Sequence, residues 1–227
     1  MRQRTRIKIC GLTRSEDVQA AVAAGADAIG FVFYPDSPRY VAPEAAARLT
    51  VALPPFVTAV GLFVNASAQQ VAQVLAQVPV ALLQFHGDET PAQCAAIARA
   101  VGRPFIRALR VRQDMQAADL LEYAQDYRDA AGLLLDTFVD SYGGGGKVFD
   151  WSVIPKELAP RVVLSGGLSV QNATDAVLRV RPYAVDISSG VELRKGIKDG
   201  LKIAAFVGAI RAADATIERE QSDERRT

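Results

Sequence analysis

The chain has 227 residues, half of them hydrophobic, and a formal net charge of +1; this length suits one large domain, and the charge gives no indication of a nucleic-acid or membrane partner. Two cysteines make no disulfide framework, and neither a secretory signal nor a bilayer-spanning apolar stretch is visible, so a cytoplasmic protein with reduced thiols is expected. The single histidine, His86, leaves one position for the base of a Ser-His-Asp or Cys-His triad, and no metal site is expected.

Eight short apolar or β-branched runs alternate with alanine-rich amphipathic stretches that predict helices. The predicted strands are Ile7–Cys10, Ala28–Phe33, Thr58–Val64, Ala81–His86, Phe105–Val111, Gly132–Asp136, Val162–Ser165 and Ala184–Ile187. Strands and helices in alternation are typical of a parallel sheet, and eight such units favour a single α/β domain, a (β/α)8 TIM barrel over residues 1–215. A doubly wound open sheet is the competing fold, but Gly-Leu-Thr follows the first strand where a GxGxxG fingerprint would stand.

The first predicted strand ends in Cys10, within the stretch KICGLT. Thr13 and Glu16 have the spacing of a capping box with Thr13 as the N-cap, and Gly25 follows where that helix should end. Cys10 therefore lies at the carboxyl end of a strand, which is the catalytic face of a barrel. From position alone, a buried packing thiol and a functional thiol are equally acceptable; Cys94, inside a helical run, is interpreted as core packing.

Polar side chains follow the second and fourth strands. Arg39 lies in the loop YPDSPRYV, and its planar guanidinium suits a carboxylate or a phosphate, although a solvated loop arginine is the simpler interpretation of an isolated case. Gln84 and His86 alternate with Phe85, so both are expected to face the barrel axis near its mouth, where a substrate could be their partner. A structural histidine is the alternative, and Asp186, on the eighth strand, is expected to line the same pocket.

The sixth strand, LLLDT, carries Asp136. A carboxylate after three leucines is costly to bury in its ionised form, so it is suited to hold the proton that a general acid needs. Four glycines at 143–146, between Tyr142 and Lys147, form neither a stable helix nor a stable strand and predict a mobile loop. A flexible surface connection is the alternative, but the position directly after Asp136 favours a lid over the site.

Small residues follow the seventh and eighth strands, with Gly166 and Gly167 in one loop and Ser189 and Gly190 in the other. In barrels such loops let backbone N–H groups approach a phosphate. With a thiol, a carboxyl proton donor and an anion-binding arginine, this inventory predicts cofactor-free acid–base chemistry, such as an isomerisation, on a phosphorylated small molecule. The charged stretch 216–227 is expected to be a frayed or disordered tail.

Eight motifs occur in order from residue 8 to about residue 192: KICGLT, GADAIGFVF, SPRYV, QFHGDE, LLLDT, KVFDW, LSGGL and VDISSGVE. In this combination they resemble the phosphoribosylanthranilate isomerases of tryptophan biosynthesis. The resemblance covers nearly the whole barrel. It is specific because related phosphate-binding barrels share the glycine loops but not KICG together with SPR and the FDW motif.

The resemblance implies a barrel that performs, without a cofactor, the Amadori rearrangement of N-(5-phosphoribosyl)anthranilate to 1-(2-carboxyphenylamino)-1-deoxyribulose 5-phosphate. It implies Cys10 as general base and Asp136 as general acid, with Arg39 on the anthranilate carboxylate. The base needs to titrate near neutrality, which a thiol with a pKa of about 8.5 reaches after a modest electropositive shift. The family's phosphate loops correspond here to Gly166, Gly167, Ser189 and Gly190.

One position departs from the family pattern, because the lid commonly reads GGTGK and Gly145 stands here in place of the threonine. This change is expected to loosen the lid and to leave the acid and base intact. Two alternatives stay open. One is another sugar-phosphate isomerase, but the histidine-biosynthesis enzyme that it would resemble has an aspartate where Cys10 stands. The other is a non-catalytic binding protein, which would be expected to lack Cys10 or Asp136. The expected partner is a phosphorylated small molecule, with no nucleic acid or membrane, and the chain is expected to be a monomer or a homodimer.

Overall fold

The computed structural model describes residues 4–137 and 148–224. Eight parallel strands close into a barrel in the order β1 to β8, which confirms the predicted fold. The barrel strands are β1 (Arg6–Cys10), β2 (Ala28–Val32), β3 (Thr58–Phe63), β4 (Leu82–Phe85), β5 (Phe105–Val111), β6 (Gly132–Thr137), β7 (Val162–Leu164) and β8 (Ala184–Ile187). A hairpin of β9 (Glu192–Arg194) and β10 (Ile197–Lys198) follows. The helices among the described residues are α1 (Ser15–Ala24), α2 (Pro43–Thr50), α3 (Ala68–Leu75), α4 (Pro91–Val101), α5 (Ala117–Asp126), α6 (Ala173–Val180) and α7 (Gly200–Glu224).

Every predicted strand bound lies within one residue of the observed one. The prediction succeeds because the strands are buried on both faces and therefore read as short apolar runs. The larger part of the core lies between barrel and helices and includes Ile7 and Ile9. A smaller cluster inside the barrel includes Leu134, and the alternation of β6 brings Asp136, two residues further on, to the same inner face at the mouth.

The two ends of α1 differ in how well the sequence predicts them. Gly25 is the C-cap in a left-handed conformation, with φ 91°, as its position after the apolar pattern predicts. The predicted capping box is wrong: the N-cap is Arg14, and its side chain makes no capping hydrogen bond. The Thr13 hydroxyl instead donates to the Gly196 carbonyl oxygen at 2.7 Å, so a tertiary contact takes the group that would have capped the helix.

The segment between β6 and β7 contains two short 3-10 turns among its described residues, Trp151–Val153 and Ala159–Arg161. Trp151 is buried and anchors the first turn on the core. The predicted lid, with its glycines at 143–146 and Gly145 in the departing position, lies outside the described residues.

Helix α7 continues through most of the charged tail. Ile217 is 1% exposed and packs in the core, and Arg181 Nη2 lies 3.1 Å from Glu220 Oε2. The expectation of a frayed or disordered tail from residue 216 is therefore corrected over 216–224, because one apolar anchor in the last turns suffices to hold the helix on its neighbours. None of the helices in 4–137 and 148–224 is long and apolar enough to cross a membrane.

Candidate active site

A cavity of about 810 Å³, counting its open mouth, lies at the carboxyl ends of the barrel strands. This is where barrel enzymes carry their active sites. Nine of the ten predicted site residues border it: Cys10, Arg39, Gln84, His86, Asp136, Gly166, Gly167, Asp186 and Ser189. Residues distant in the chain thus meet in one pocket, because parallel strands end on the same side of the barrel.

The tenth predicted site residue, Gly190, lies where the two glycine loops pack closely against each other. A Cβ at this position would overlap the Leu168 carbonyl oxygen, so the backbones after β7 and β8 are in direct contact. Gly166 has φ +78°, and a Cβ there would overlap the Thr137 amide nitrogen and lie 2.7 Å from Asp136 Oδ1. Glycine at 166 is therefore required by a left-handed backbone and by close packing against the loop that carries Asp136.

Asp136 is 8% exposed and has a polar neighbour at each carboxyl oxygen. The backbone N–H of Thr137 donates to Asp136 Oδ1 at 2.9 Å. His86 Nε2 lies 3.3 Å from Asp136 Oδ2, and the distance between His86 Nδ1 and Gln84 Nε2 is 3.0 Å. If the Gln84 amide donates to Nδ1, His86 carries its proton on Nε2, which faces the carboxyl group.

Several polar atoms at the floor of the cavity have unused hydrogen-bonding capacity. Within the described residues, no hydrogen-bond partner is found for Gln84 Oε1, Thr137 Oγ1 or His86 Nε2. His86 Nε2 is close to the Asp136 carboxyl group but poorly aligned with it. Buried polar atoms are nearly always satisfied in folded proteins, so such a group at a cavity wall is suited to contact a polar ligand.

A buried ion pair fixes the loop that follows β4 and carries His86. Arg107 Nη1 donates to Glu89 Oε2 at 2.8 Å, and Arg107 Nη2 donates to the Gly87 carbonyl oxygen at 3.0 Å. Glu89 also accepts from the backbone N–H groups of Asn65 and Gly87. Nothing in the local sequence pattern predicts this network, although a charged side chain inside the apolar run of β5 is a sign that it has a buried partner.

Cys10 is 5% exposed, and its thiol lies among charged groups. Burial raises the pKa of the thiol, while Lys8 and Lys198 act to lower it and Asp186 acts to raise it. The net direction is upward, which corrects the expectation of an electropositive shift that lowers the pKa. The expected cations are present, but the loss of water around the sulfur outweighs them.

Lys8 is a functional candidate that the sequence interpretation missed. Its Nζ lies 2.8 Å from Asp186 Oδ1, and both side chains are almost fully buried. Lys8 precedes Cys10 by two residues on β1, so the two side chains share the inner face of the barrel. The available signal was the lysine itself, because a charge inside a buried strand requires a partner.

Arg39 is held by a second buried carboxylate that was not assigned from the sequence. Its Nε and Nη2 donate to the two oxygens of Glu192 at 2.8 and 2.9 Å, and Lys198 Nζ donates to Glu192 Oε1 at 2.9 Å. Burial opposes ionisation of Glu192, but the hydrogen bonds and charges of Arg39 and Lys198 outweigh it and lower the pKa of this carboxyl. Arg39 is 8% exposed, so the solvated loop arginine is not what the structure contains.

A thiol on β1 and a carboxyl on β6 thus border one cavity, beside loops whose backbones pack closely. The fold and the site together define a (β/α)8-barrel enzyme with acid–base side chains at the mouth of the barrel.

Comparison with known proteins identifies the family. The model of the N-(5'phosphoribosyl)anthranilate (PRA) isomerase family matches residues 7–209. The N-(5'-phosphoribosyl)anthranilate isomerase of Herminiimonas arsenicoxydans is 71% identical over 222 residues, which are 96% of this chain and 98% of that protein. The chain belongs to the PRA isomerase family, and the resemblance and the enzyme class predicted from its motifs are confirmed.

Solved structures agree with this assignment. Phosphoribosyl anthranilate isomerase from Thermotoga maritima superposes with a TM-score of 0.82 at 44% identity, covering 92% of this chain and 99% of that one. A complex of such an isomerase with reduced 1-(o-carboxyphenylamino)-1-deoxyribulose 5-phosphate has a TM-score of 0.79 at 42% identity, with the same coverage. Monomers generated from the dimeric Thermotoga maritima enzyme have a TM-score of 0.79 at 40% identity, again covering 92% of this chain and 99% of that one.

Proposed function

We propose that this chain converts N-(5-phosphoribosyl)anthranilate to 1-(2-carboxyphenylamino)-1-deoxyribulose 5-phosphate, with Asp136 as general acid and Cys10 as general base. The observation that carries the proposal is the shared cavity, since both side chains border it from different strands in a chain of the PRA isomerase family. The rearrangement is an isomerisation whose steps need proton donation and proton removal, and these two side chains are the types that donate and accept protons.

The first step is assigned to Asp136. Its carboxylic acid donates a proton to the ribose ring oxygen, the bond between that oxygen and C1′ breaks, and the sugar opens to a Schiff base. The Thr137 N–H supports this role, because it donates to one carboxyl oxygen, and His86 Nε2 lies 3.3 Å from the other oxygen at the cavity wall. A positioned acid of this kind typically contributes about 10²–10⁴-fold to the rate.

The second step is assigned to Cys10. Its thiolate removes the proton from C2′, and the electron pair of that bond moves toward the iminium nitrogen to give an enolamine. The enolamine then relaxes to the ketone, with proton transfer to carbon C1′. The burial of the thiol supports this role, because a thiolate with little water around it is a stronger base than one in bulk water.

The two anionic ends of the substrate are assigned to different groups. Arg39 contacts the anthranilate carboxylate: Glu192 takes Nε and one N–H of Nη2, and the guanidinium has further N–H groups on Nη1 and Nη2 for a second carboxylate. The phosphate lies against the loops after β7 and β8, where backbone N–H groups are the donors. Those loops contain Gly166, Gly167, Ser189 and Gly190.

The remaining assignments follow from the same proposal. The isomerase acts in tryptophan biosynthesis in the cytoplasm, its ligand is a phosphorylated small molecule, and the side chains named above suffice without a cofactor. The chain is a monomer or a homodimer. The solved complex of a related isomerase with a reduced carboxyphenylamino-deoxyribulose phosphate supports the ligand, and the dimeric Thermotoga maritima enzyme supports the second assembly.

Substitution of the acid and the base tests the assignment. Cys10→Ala and Asp136→Asn should keep the fold, by circular dichroism and urea unfolding, and lose nearly all turnover of freshly prepared phosphoribosylanthranilate. Cys94→Ala is the matched control, because Cys94 packs in the core on α4, and it should keep wild-type turnover. Full activity in either site variant would contradict the assigned roles.

A further inference from the structure

We propose that Lys8, held in place by Asp186, is a positioning residue that stabilises the thiolate form of Cys10 and orients it for proton abstraction. The inference rests on the proposed role of Cys10 as general base and adds a source for its ionisation. Lys8 and Cys10 lie on β1, Gly30 on β2 and Asp186 on β8.

The Lys8 ammonium group lies close to the Cys10 sulfur. Lys8 and Cys10 are two residues apart on β1 and face the barrel interior together. Across from them on β2, a Cβ on Gly30 would lie 2.7 Å from Cys10 Sγ and 3.1 Å from Lys8 Nζ. Both atoms therefore meet over the same glycine, and the missing side chain at position 30 leaves the space that they occupy.

Lys8 is fixed in place and charged. Asp186, its register partner on β8, accepts from Lys8 Nζ at 2.8 Å, and Lys8 is 4% exposed. Burial acts to lower the pKa of Lys8, but the attraction of Asp186 and of Cys10 outweighs it and raises the pKa above its ordinary value. The ion pair with Asp186 thus favours the protonated ammonium form of Lys8 beside the sulfur.

The other charges around the sulfur affect the thiol less than Lys8 does or are themselves paired. Lys198 on β10 is the second nearby cation, but its Nζ donates to Glu192 and to the Ser188 carbonyl oxygen, and burial lowers its pKa. Lys8 is the cation with the stronger effect on the thiol. Among the described residues, the charged or titratable groups that border the site or pair with its residues, besides Cys10 itself, are Lys8 (β1), Tyr34 and Arg39 (after β2), His86 (after β4), Asp136 (β6), Asp186 (β8), Glu192 (β9) and Lys198 (β10).

The competing interpretation is a purely structural ion pair between Lys8 and Asp186. The two interpretations differ in what happens when both charges are removed. Replacing both partners of a buried pair with neutral side chains of similar size is often tolerated by the fold. A structural pair predicts that Lys8→Met/Asp186→Asn behaves like the wild type, whereas a positioning lysine predicts that it does not.

The test measures ionisation of Cys10 directly, in a Cys94→Ala background. The rate of alkylation by iodoacetamide is followed against pH by mass spectrometry for the parent and three variants: Lys8→Met, Lys8→Arg and Lys8→Met/Asp186→Asn. Removal of a nearby opposite charge should move the alkylation midpoint upward by about one pH unit or more in Lys8→Met. The double variant should shift the same way by less, because Asp186 opposes Lys8 at the sulfur. Lys8→Arg should retain the parent midpoint, since it keeps the charge.

The limb of the pH profile of kcat/KM that rises as Cys10 loses its proton should move with the alkylation midpoint. Unchanged midpoints in Lys8→Met and in the double variant would overturn the inference. Because alkylation does not require turnover, this result is distinct from failure of the proposed function, which would show as full activity in Cys10→Ala. If Lys8→Met does not fold, the alkylation midpoint of the double variant decides between the two interpretations.

Discussion

Substitution of Gly166 tests how the glycine loops support the acid. In Gly166→Ala the new Cβ overlaps the Thr137 amide nitrogen, lies 2.5 Å from Thr137 Oγ1 and lies 2.7 Å from Asp136 Oδ1. Such contacts require the loop or the carboxyl to move. The variant should therefore lose activity although position 166 supplies no side chain to the reaction.

The magnitude follows from two contributions to the free energy of unfolding. A left-handed alanine costs about 1–2 kcal/mol, and relief of overpacking adds about 1–3 kcal/mol. Gly25→Ala is the matched control, because Gly25 has φ +91° and a Cβ there meets nothing within 4 Å. It should lose only the smaller backbone contribution. A displacement of the Asp136 carboxyl by about 1 Å should reduce turnover by about 100-fold in Gly166→Ala, and Gly25→Ala should keep wild-type turnover.

Urea unfolding gives the stability of both variants, and the loss of phosphoribosylanthranilate fluorescence gives their turnover. The reasoning predicts that Gly166→Ala is the less stable variant and that it alone is impaired in catalysis. Equal stability and equal turnover of the two variants would refute the claim that position 166 is packed against the acid.

Two buried carboxylates allow further tests. Glu89→Gln leaves Arg107 without its anionic partner and should lower the free energy of unfolding by about 3–5 kcal/mol. Turnover should also be impaired, because the loop that carries His86 loses its anchor. Urea unfolding measures the first effect and the turnover assay measures the second. Glu192→Gln tests a pH dependence of the stability. Because the pKa of Glu192 is lowered in the folded state, its ionised form stabilises the fold above its ordinary pKa of about 4.5. This stabilisation is lost as the pH falls through the lower pKa of the folded state. The stability difference between wild type and Glu192→Gln should therefore be present at about pH 7 and shrink toward about pH 3 in urea titrations, and an unchanged difference would contradict the pairing.

The ends of the strands could be predicted from the sequence because two simple sequence patterns determine them. Buried parallel strands read as apolar runs, and the polar residue that ends a run lies at the mouth of the barrel. This pattern locates Cys10 and Asp136 at the mouth of the barrel. The glycine loops that follow the last two strands lie at the same end of the barrel.

The side-chain partners could not be predicted, because they depend on contacts between distant parts of the chain. Lys8 and Asp186 are 178 residues apart, and Arg39 and Glu192 are 153 apart. Alternation along a strand tells which face a side chain takes, but not which residue lies opposite.

The same limitation explains the errors at helix ends. Thr13 has the right type and spacing for a cap, but its hydroxyl bonds the backbone of Gly196, 183 residues away. The charged tail was expected to be frayed or disordered from its composition, whereas α7 continues to Glu224 and Ile217 is buried in the core.

The most direct test of the account is turnover by the purified chain. Freshly prepared phosphoribosylanthranilate is mixed with the wild-type protein, and the loss of its fluorescence is compared with the loss in buffer and with the formation of the carboxyphenylamino-deoxyribulose phosphate by mass spectrometry. The account predicts catalytic loss of the substrate with matching formation of the product. A rate of loss equal to that in buffer would contradict it.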